Sequence, residues 1–300
     1  MARAVPERDT ACAIAQAAVV IGDWWSLLIV RETARGRHRF DELQRELDIS
    51  RKVLTERLGH LVDSGVLKKI PYQQGPVRHE YRLSEAGRAL LPVLVSMQDW
   101  ADRWVLGDGT LTATADADGA EALRVHTLPG TALPRLTLPA HTLPAHTGGE
   151  LDPVDPDAAA TVLFCYPATG RPSPLPEGWN DIPGTVGCTL ENRLFREAYG
   201  EFTAAGVAVR GVSTQRTDEQ RAFAEAEEIP FPLLSDTDTR LAAALRLPTF
   251  RAGQLLRLKR LVLVVDRERT VRHVQFPVTD IPAAVRTALA LGRALAETGR

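Results

Sequence analysis

The chain has three cysteines and four lysines in 300 residues, and each shortage excludes something. Three cysteines cannot staple so long a chain into a disulfide framework. The opening MARAVPERDT has no hydrophobic signal core, so the expected compartment is the reducing cytoplasm, with thiols kept for chemistry or buried. Lys52, Lys68, Lys69 and Lys259 are the only lysines; the remaining basic residues are arginine. A formal net charge of −2 implies no strong global electrostatic partner. No apolar run approaches the roughly 18 residues of a membrane span, so no membrane partner is expected. A phosphate-cradling glycine loop, a paired-histidine zinc motif and a nucleophile elbow are all absent. His126, His141 and His146 lie in a proline-rich context with the wrong spacing for a rigid site, so neither metal nor cofactor is expected.

What is present is enough for two globular domains: 44% of the residues are hydrophobic. Residues 11–105 read as short helices, a hairpin and a closing helix. Ala11–Ile21 is apolar and helix-like, Gly22-Asp23 interrupts it, and Trp24–Arg35 restarts it until Gly36. Phe40–Leu47 is a short amphipathic helix. After the turn Asp48-Ile49-Ser50, with Ser50 as N-cap, a second helix runs over Arg51–Ser64 on the stripe Val53, Leu54, Leu58, Leu61 and Val62. Its other face is assigned Arg51, Lys52, Thr55 and Arg57. Leu67–Tyr72 and His79–Leu83 are β-like and flank Gln73–Val77 as a wing, with Lys68, Lys69, Arg78 and His79 free to meet phosphates. A basic face of this kind is by itself often only a solvated one. Trp24, Trp25, Trp100 and Trp104 read as core and dimer packing.

Five stretches make this part distinctive. They are Cys12, IGDWWSLLIVRE (Ile21–Glu32), RFDEL (Arg39–Leu43), ISRKVLTERLGHLVDSGVL (Ile49–Leu67) and EYRLSEAGRALLPVL (Glu80–Leu94). Together they resemble the HxlR-type winged-helix regulators, close to the MarR family. Ala13 departs from them, standing where a proline is common. The resemblance implies a homodimer on double-stranded operator DNA, with Ser50 to Arg57 entering the major groove. It also implies an oxidant-sensing option for Cys12, which otherwise reads as a small packing residue.

GDGTLTATADADGAEAL and its flanks, 106–124, are small and acidic and read as a flexible linker. A Thr-Leu-Pro repeat then follows, too short for a solenoid, whose prolines permit only edge strands or extended loop. Beyond it, strands (Ala160–Cys165, Val207–Ser213, Arg260–Val265, Val271–Phe276) alternate with helices (after Cys188, then Thr217–Glu227, Thr237–Leu245 and Asp280–Leu295). That is an α/β pattern with a central sheet. In GTVGCTLENRLF, Gly184–Phe195, Cys188 follows a glycine loop and opens a helix with apolar residues at Leu190, Leu194, Phe195 and Ala198. Free N–H groups and the helix dipole favour a thiolate there. Cys165 lies in an apolar strand and reads as core.

The order of Tyr166-Pro167, TVGCT, Ser213, Phe223, FPLLSD (Phe231–Asp236) and Arg260 six residues before Asp266 resembles a peroxiredoxin of the thioredoxin fold, bacterioferritin-comigratory type, over roughly 125–300. The resemblance implies that Cys188 is the peroxidatic thiol, that Thr185 orients hydroperoxide and that Arg260 holds the thiolate. There are departures. Asp181 replaces the expected proline, with Pro183 nearest, GRPSPLPEGWNDIP lengthens the loop, and Arg193 stands where many relatives have a resolving cysteine. Resolution would fall to Cys12, to Cys165 or to a thiol reductant. The expected architecture is therefore two domains, a mainly α winged helix-turn-helix (1–105) and an α/β thioredoxin-like fold (125–300). The expected function is a redox-responsive regulator with a peroxide-reactive second domain. Two alternatives stand beside it, a thiol peroxidase merely tethered to DNA and a regulator with an inert second module.

Overall fold

The computed structural model describes residues 10–141, 149–170 and 173–298. The chain divides into two compact units, Met1–Leu94 and Val95–Arg300.

The first unit runs α1 (Ala13–Ile21), α2 (Trp24–Ala34), α3 (Phe40–Leu47), α4 (Arg51–Asp63), β1 (Leu67–Gln74), β2 (Val77–Leu83), α5 (Glu85–Ala89) and the start of α6 (Leu91–Trp104). The caps fix these boundaries. The Asp23 carboxylate accepts from the Trp25 and Ser26 N–H groups, and the Ser50 hydroxyl accepts from Val53 N–H. Asp48, in the left-handed region at φ 49°, ends α3 so that α4 can leave at a turn. Ile29, Val30, Leu43, Leu47, Leu54, Leu58 and Leu61 interlock beneath the wing strands. The wing is longer than its sequence suggests, because pairing continues to Gln74↔Val77. Trp24, Trp100 and Trp104 are exposed, so they do not belong to a core.

The second unit continues α6 and adds α7 (Ala120–Val125), β3 (Leu138–His141), β4 (Gly149–Leu151), β5 (Ala160–Cys165), α8 (Cys188–Glu197), α9 (Tyr199–Ala204), β6 (Val207–Ser213), α10 (Thr217–Ala226), β7 (Leu233–Ser235), α11 (Arg240–Leu245), β8 (Thr249–Ala252), β9 (Leu255–Leu258), β10 (Leu261–Asp266), β11 (Val271–Gln275) and α12 (Ile281–Thr298). The sheet order is β11-β10-β5-β6-β7-β3-β4, with β5, β6 and β7 parallel and β10 antiparallel to β5. All six residues of β5 are buried, as a strand covered on both faces requires. On one face Phe164 stacks on Phe195 at 4.2 Å and meets Phe231 edge-on. This is the expected thioredoxin-like α/β unit.

Residues 106–124 do not form a free linker. Ala113 N–H bonds Pro183 O at 2.8 Å, Glu121 pairs with Lys259 at 2.6 Å, and Arg124 grips Asp102 through two 2.6 Å bonds. Ala113 and Ala122 are buried. The Thr-Leu-Pro stretch lays Leu128, Leu133 and Leu138 into the unit and supplies β3, which lies between β7 and β4 rather than at the sheet edge. Pro139 is tolerated there because β7 pairs only with Ala140 and His141. Of the three histidines weighed as ligands, His126 bonds Phe276 O at 2.8 Å and His146 lies outside the described residues. No metal-holding cluster occurs among the described residues.

Candidate active site and nucleic-acid face

Cys188 is the first residue of α8. Its neighbour Gly187 takes φ 109°, a conformation costly for any residue with a Cβ, and an added Cβ would lie 2.6 Å from Ile281. The glycine therefore lets the loop turn tightly into the helix and presents Cys188 to the unpaired N–H groups of the first turn. The thiol is 3% exposed. Its sulfur donates to Thr185 O at 3.5 Å and receives Arg260 Nη2 at 3.5 Å. Burial pushes the Cys188 thiol up, Arg260 opposes that rise, and Glu191 adds to it.

Arg260 is held from two further sides. Nη2 donates to Val186 O at 3.0 Å, and Nη1 pairs with Glu191 Oε2. Burial lifts the Glu191 carboxyl to about 7, with Arg260 opposing, and its Oε1 has no hydrogen-bond partner. Glu191 was not singled out from sequence. Its position three residues after Cys188, one helical turn on, was the available signal. Thr185 is buried nearby, but its hydroxyl proton goes to Trp179 O (2.7 Å) and Ile182 O (2.8 Å). The hydroxyl can therefore only accept from a third group.

Cys165 does not join the site. Side chains alternate along a strand, and Phe164 and Tyr166 face the cluster that contains Cys188. Cys165 points to the opposite face of the sheet, where burial drives its thiol far up. Cys12 is exposed at the N-cap of α1 in the first unit.

On α4, Arg51, Lys52 and Thr55 share one exposed face with Glu56 and Gly59. Arg51 lies 5.0 Å over the Phe40 ring and bonds Gln44 Oε1 at 3.3 Å; the Thr55 hydroxyl is turned back onto Arg51 O. Arg57 is not on that face. It is half-buried on the core side and lies 3.5 Å from Asp23, the cap of α2. Lys68 and Lys69, adjacent in β1, point to opposite faces of the wing; Arg78 is exposed near its tip, and His79 is half-buried. Arg39, not identified from sequence, stacks 4.6 Å over Tyr72 and pairs with Glu80 at the wing base.

Residues 20–108 match the HxlR-like helix-turn-helix family, and residues 181–274 match the AhpC/TSA family. An HTH-type transcriptional regulator of Mycobacterium bovis is 42% identical over 31% of this chain, which spans 58% of that relative's length. The Bacillus subtilis HTH-type regulator YvaP is 38% identical over 29% of this chain and 81% of its own. A putative peroxiredoxin of Mycobacterium tuberculosis is 33% identical over 45% of this chain and 78% of its own. The solved peroxidoxin BcpB from Mycobacterium tuberculosis is 29% identical over 55% of this chain and 96% of its own, with a TM-score of 0.45.

Proposed function

This chain belongs to the HxlR-like helix-turn-helix family through its first part and to the AhpC/TSA family through its second, and we propose that it is a redox-responsive, DNA-binding transcriptional regulator whose second unit reacts with hydroperoxide through Cys188. One observation carries the redox half: a cysteine at a helix N-terminus with a guanidinium 3.5 Å from its sulfur. The Cys188 thiolate attacks the terminal peroxide oxygen. The O–O bond breaks, sulfur gives up two electrons and becomes sulfenic acid, and the departing alkoxide takes a proton to leave as alcohol or water. Arg260 stabilises the thiolate before attack and the negative charge that develops on the departing oxygen. Thr185, its own proton committed to carbonyls, accepts the peroxide O–H and so orients it.

In the first unit, Ser50, Arg51, Lys52 and Thr55 face the major groove of operator DNA, while Lys68, Lys69, Arg78 and His79 meet phosphates. The active species is a homodimer. Arg57 is removed from the DNA-facing set because its ion pair with Asp23 draws it to the core side.

The decisive experiment measures operator affinity of wild type and Cys188→Ser with and without peroxide, reading thiol state by mass spectrometry on the same samples. Oxidation of Cys188 with a shift in affinity only in the wild type supports the regulator. Absence of sulfenic acid at modest peroxide would mean an inert module. A second reading, a thiol peroxidase that the winged helix only localises, is favoured by one feature: Cys165 is on the wrong face of the sheet to resolve Cys188. Steady peroxide turnover at constant DNA affinity would select it.

A further inference from the structure

Arg257 lies on β9 and is 6% exposed, yet among the described residues no carboxylate comes within ion-pairing distance of it. Its Nε has no hydrogen-bond partner, and Nη1 makes one 3.3 Å bond, to the Thr214 hydroxyl, which itself donates to Leu256 O. A buried guanidinium with no carboxylate in ion-pairing range is costly, and it keeps N–H donors open to an anion. The fold aims it. Arg257 is the cross-strand partner of Phe250, so the two side chains share one face of the β8–β9 hairpin. Phe250 packs with Ala168 and Trp179. Trp179 O holds the Thr185 hydroxyl, and the Thr185 carbonyl in turn accepts from the Cys188 thiol. Burial disfavours the Arg257 charge, and Glu219, then Tyr166 and Cys188, favour it.

We propose that Arg257 forms an anion subsite beside Cys188 that receives the carboxylate of a low-molecular-weight thiol, the reductant of the Cys188 sulfenic acid. The inference rests on the peroxide chemistry proposed above and adds the class of its reductant. Charge balance favours the reductant over the peroxide as occupant. A hydroperoxide is neutral, whereas oxidation of the Cys188 thiolate to neutral sulfenic acid removes one negative charge near Arg257. An anionic thiol is therefore held more strongly after oxidation than before. Its thiolate attacks the sulfenic sulfur, an S–S bond forms, and hydroxide leaves as water after taking up a proton. A second thiolate attacks the mixed disulfide, releasing the Cys188 thiolate and the small-molecule disulfide. Overall, two thiols and one hydroperoxide give a disulfide, an alcohol and water.

The test uses the full chain, oxidised with one equivalent of peroxide, with loss of sulfenic acid followed by mass spectrometry. The probes are 3-mercaptopropionate (anionic), 2-mercaptoethanol (neutral) and cysteamine (cationic), compared at equal thiolate concentration. Wild type should reduce about tenfold faster with 3-mercaptopropionate than with 2-mercaptoethanol, a preference that shrinks in high salt. Arg257→Gln should bring the two rates within about twofold, and Arg257→Lys should keep part of the preference. No preference in wild type, or equal slowing of all three thiols by Arg257→Gln, overturns the subsite. If no sulfenic acid forms, the peroxide reading fails instead, and alkylation of Cys188 still tests the subsite. The iodoacetate-to-iodoacetamide rate ratio should fall about fivefold in Arg257→Gln, and an unchanged ratio overturns it.

Discussion

Removing Arg260 separates what the guanidinium does for the fold from what it does for the thiol. Glu191 is 1% exposed, and Arg260 is its only ion-pair partner among the described residues. Arg260→Met would strand a buried carboxylate, a lesion worth about 3–5 kcal/mol. The loss depends on pH, and its sign follows from Glu191. That carboxyl is already lifted from 4.5 to about 7 by burial with Arg260 opposing. Without the guanidinium, burial acts unopposed and lifts it further. The folded state then prefers the protonated acid, so stability is retained at low pH and falls as pH rises from the unfolded value towards the folded one. The slope is up to about 1.4 kcal/mol per pH unit. Adding Glu191→Gln should restore most of the stability at pH 8, because no buried charge remains. It should not restore chemistry. A cation 3.5 Å from sulfur is gone in both variants, and Cys188 alkylation at pH 7 should be slowed at least about tenfold in each. Urea denaturation at pH 5.5 and 8, with iodoacetamide kinetics alongside, reads both quantities. A double variant no more stable at pH 8 than Arg260→Met, or one that regains wild-type thiol reactivity, would refute the reasoning.

Three further outcomes follow from the geometry. Arg51→Ala and Lys52→Ala should each lower the slope of log operator affinity against log salt by about 0.9, while Arg57→Met should leave the slope alone and reduce stability by no more than about 1 kcal/mol; fluorescence anisotropy across a salt series and urea melts distinguish them. Cys165→Ser should leave sulfenic acid formation at Cys188 at the wild-type rate, and Cys165 in wild type should be alkylated only in denaturant, as peptide mapping would report. Gly187→Ala places a Cβ 2.6 Å from Ile281 at φ 109°, so thiol reactivity should drop with little change in helix content by circular dichroism.

The long periodic helices and the apolar strands were legible because their pattern is local. α3 has the boundaries read from sequence, and β5 and β6 do too: β5 is a nearly unbroken apolar run, and β6 is a valine-rich one that begins after Gly206. The failures share a physical cause, contacts between residues far apart in the chain. Nothing in the composition of 106–124 announces that Glu121 will meet Lys259 or that Ala113 will bond Pro183. β7 has three residues and carries no readable period. The β8–β9 hairpin was legible in principle: Gly253 at φ 61° turns between two short strands, and recognising it would have placed Arg257 opposite Phe250. Arg57 was misplaced although the stripe of Leu54, Leu58 and Leu61 already puts position 57 beside the core. At the thiol site, Cys188 and Arg260 were legible through motif order, whereas Glu191 stands in the same motif and was passed over.

The fastening of 106–124 bears on how such a chain can be cut and rejoined. A fragment that begins at residue 125, where the sequence alone would place the border, discards Glu121 and the Thr114 carbonyl and strips both partners from Lys259. The bared ammonium would be the residue immediately before Arg260. A severed second unit would thus carry a new uncompensated charge next to its reactive centre, and rate constants measured on it would describe the fragment rather than the protein. Recombination between such modules has to carry this strap along as freight of the thiol-bearing half, so the practical seam of the fusion lies before it, inside or ahead of α6.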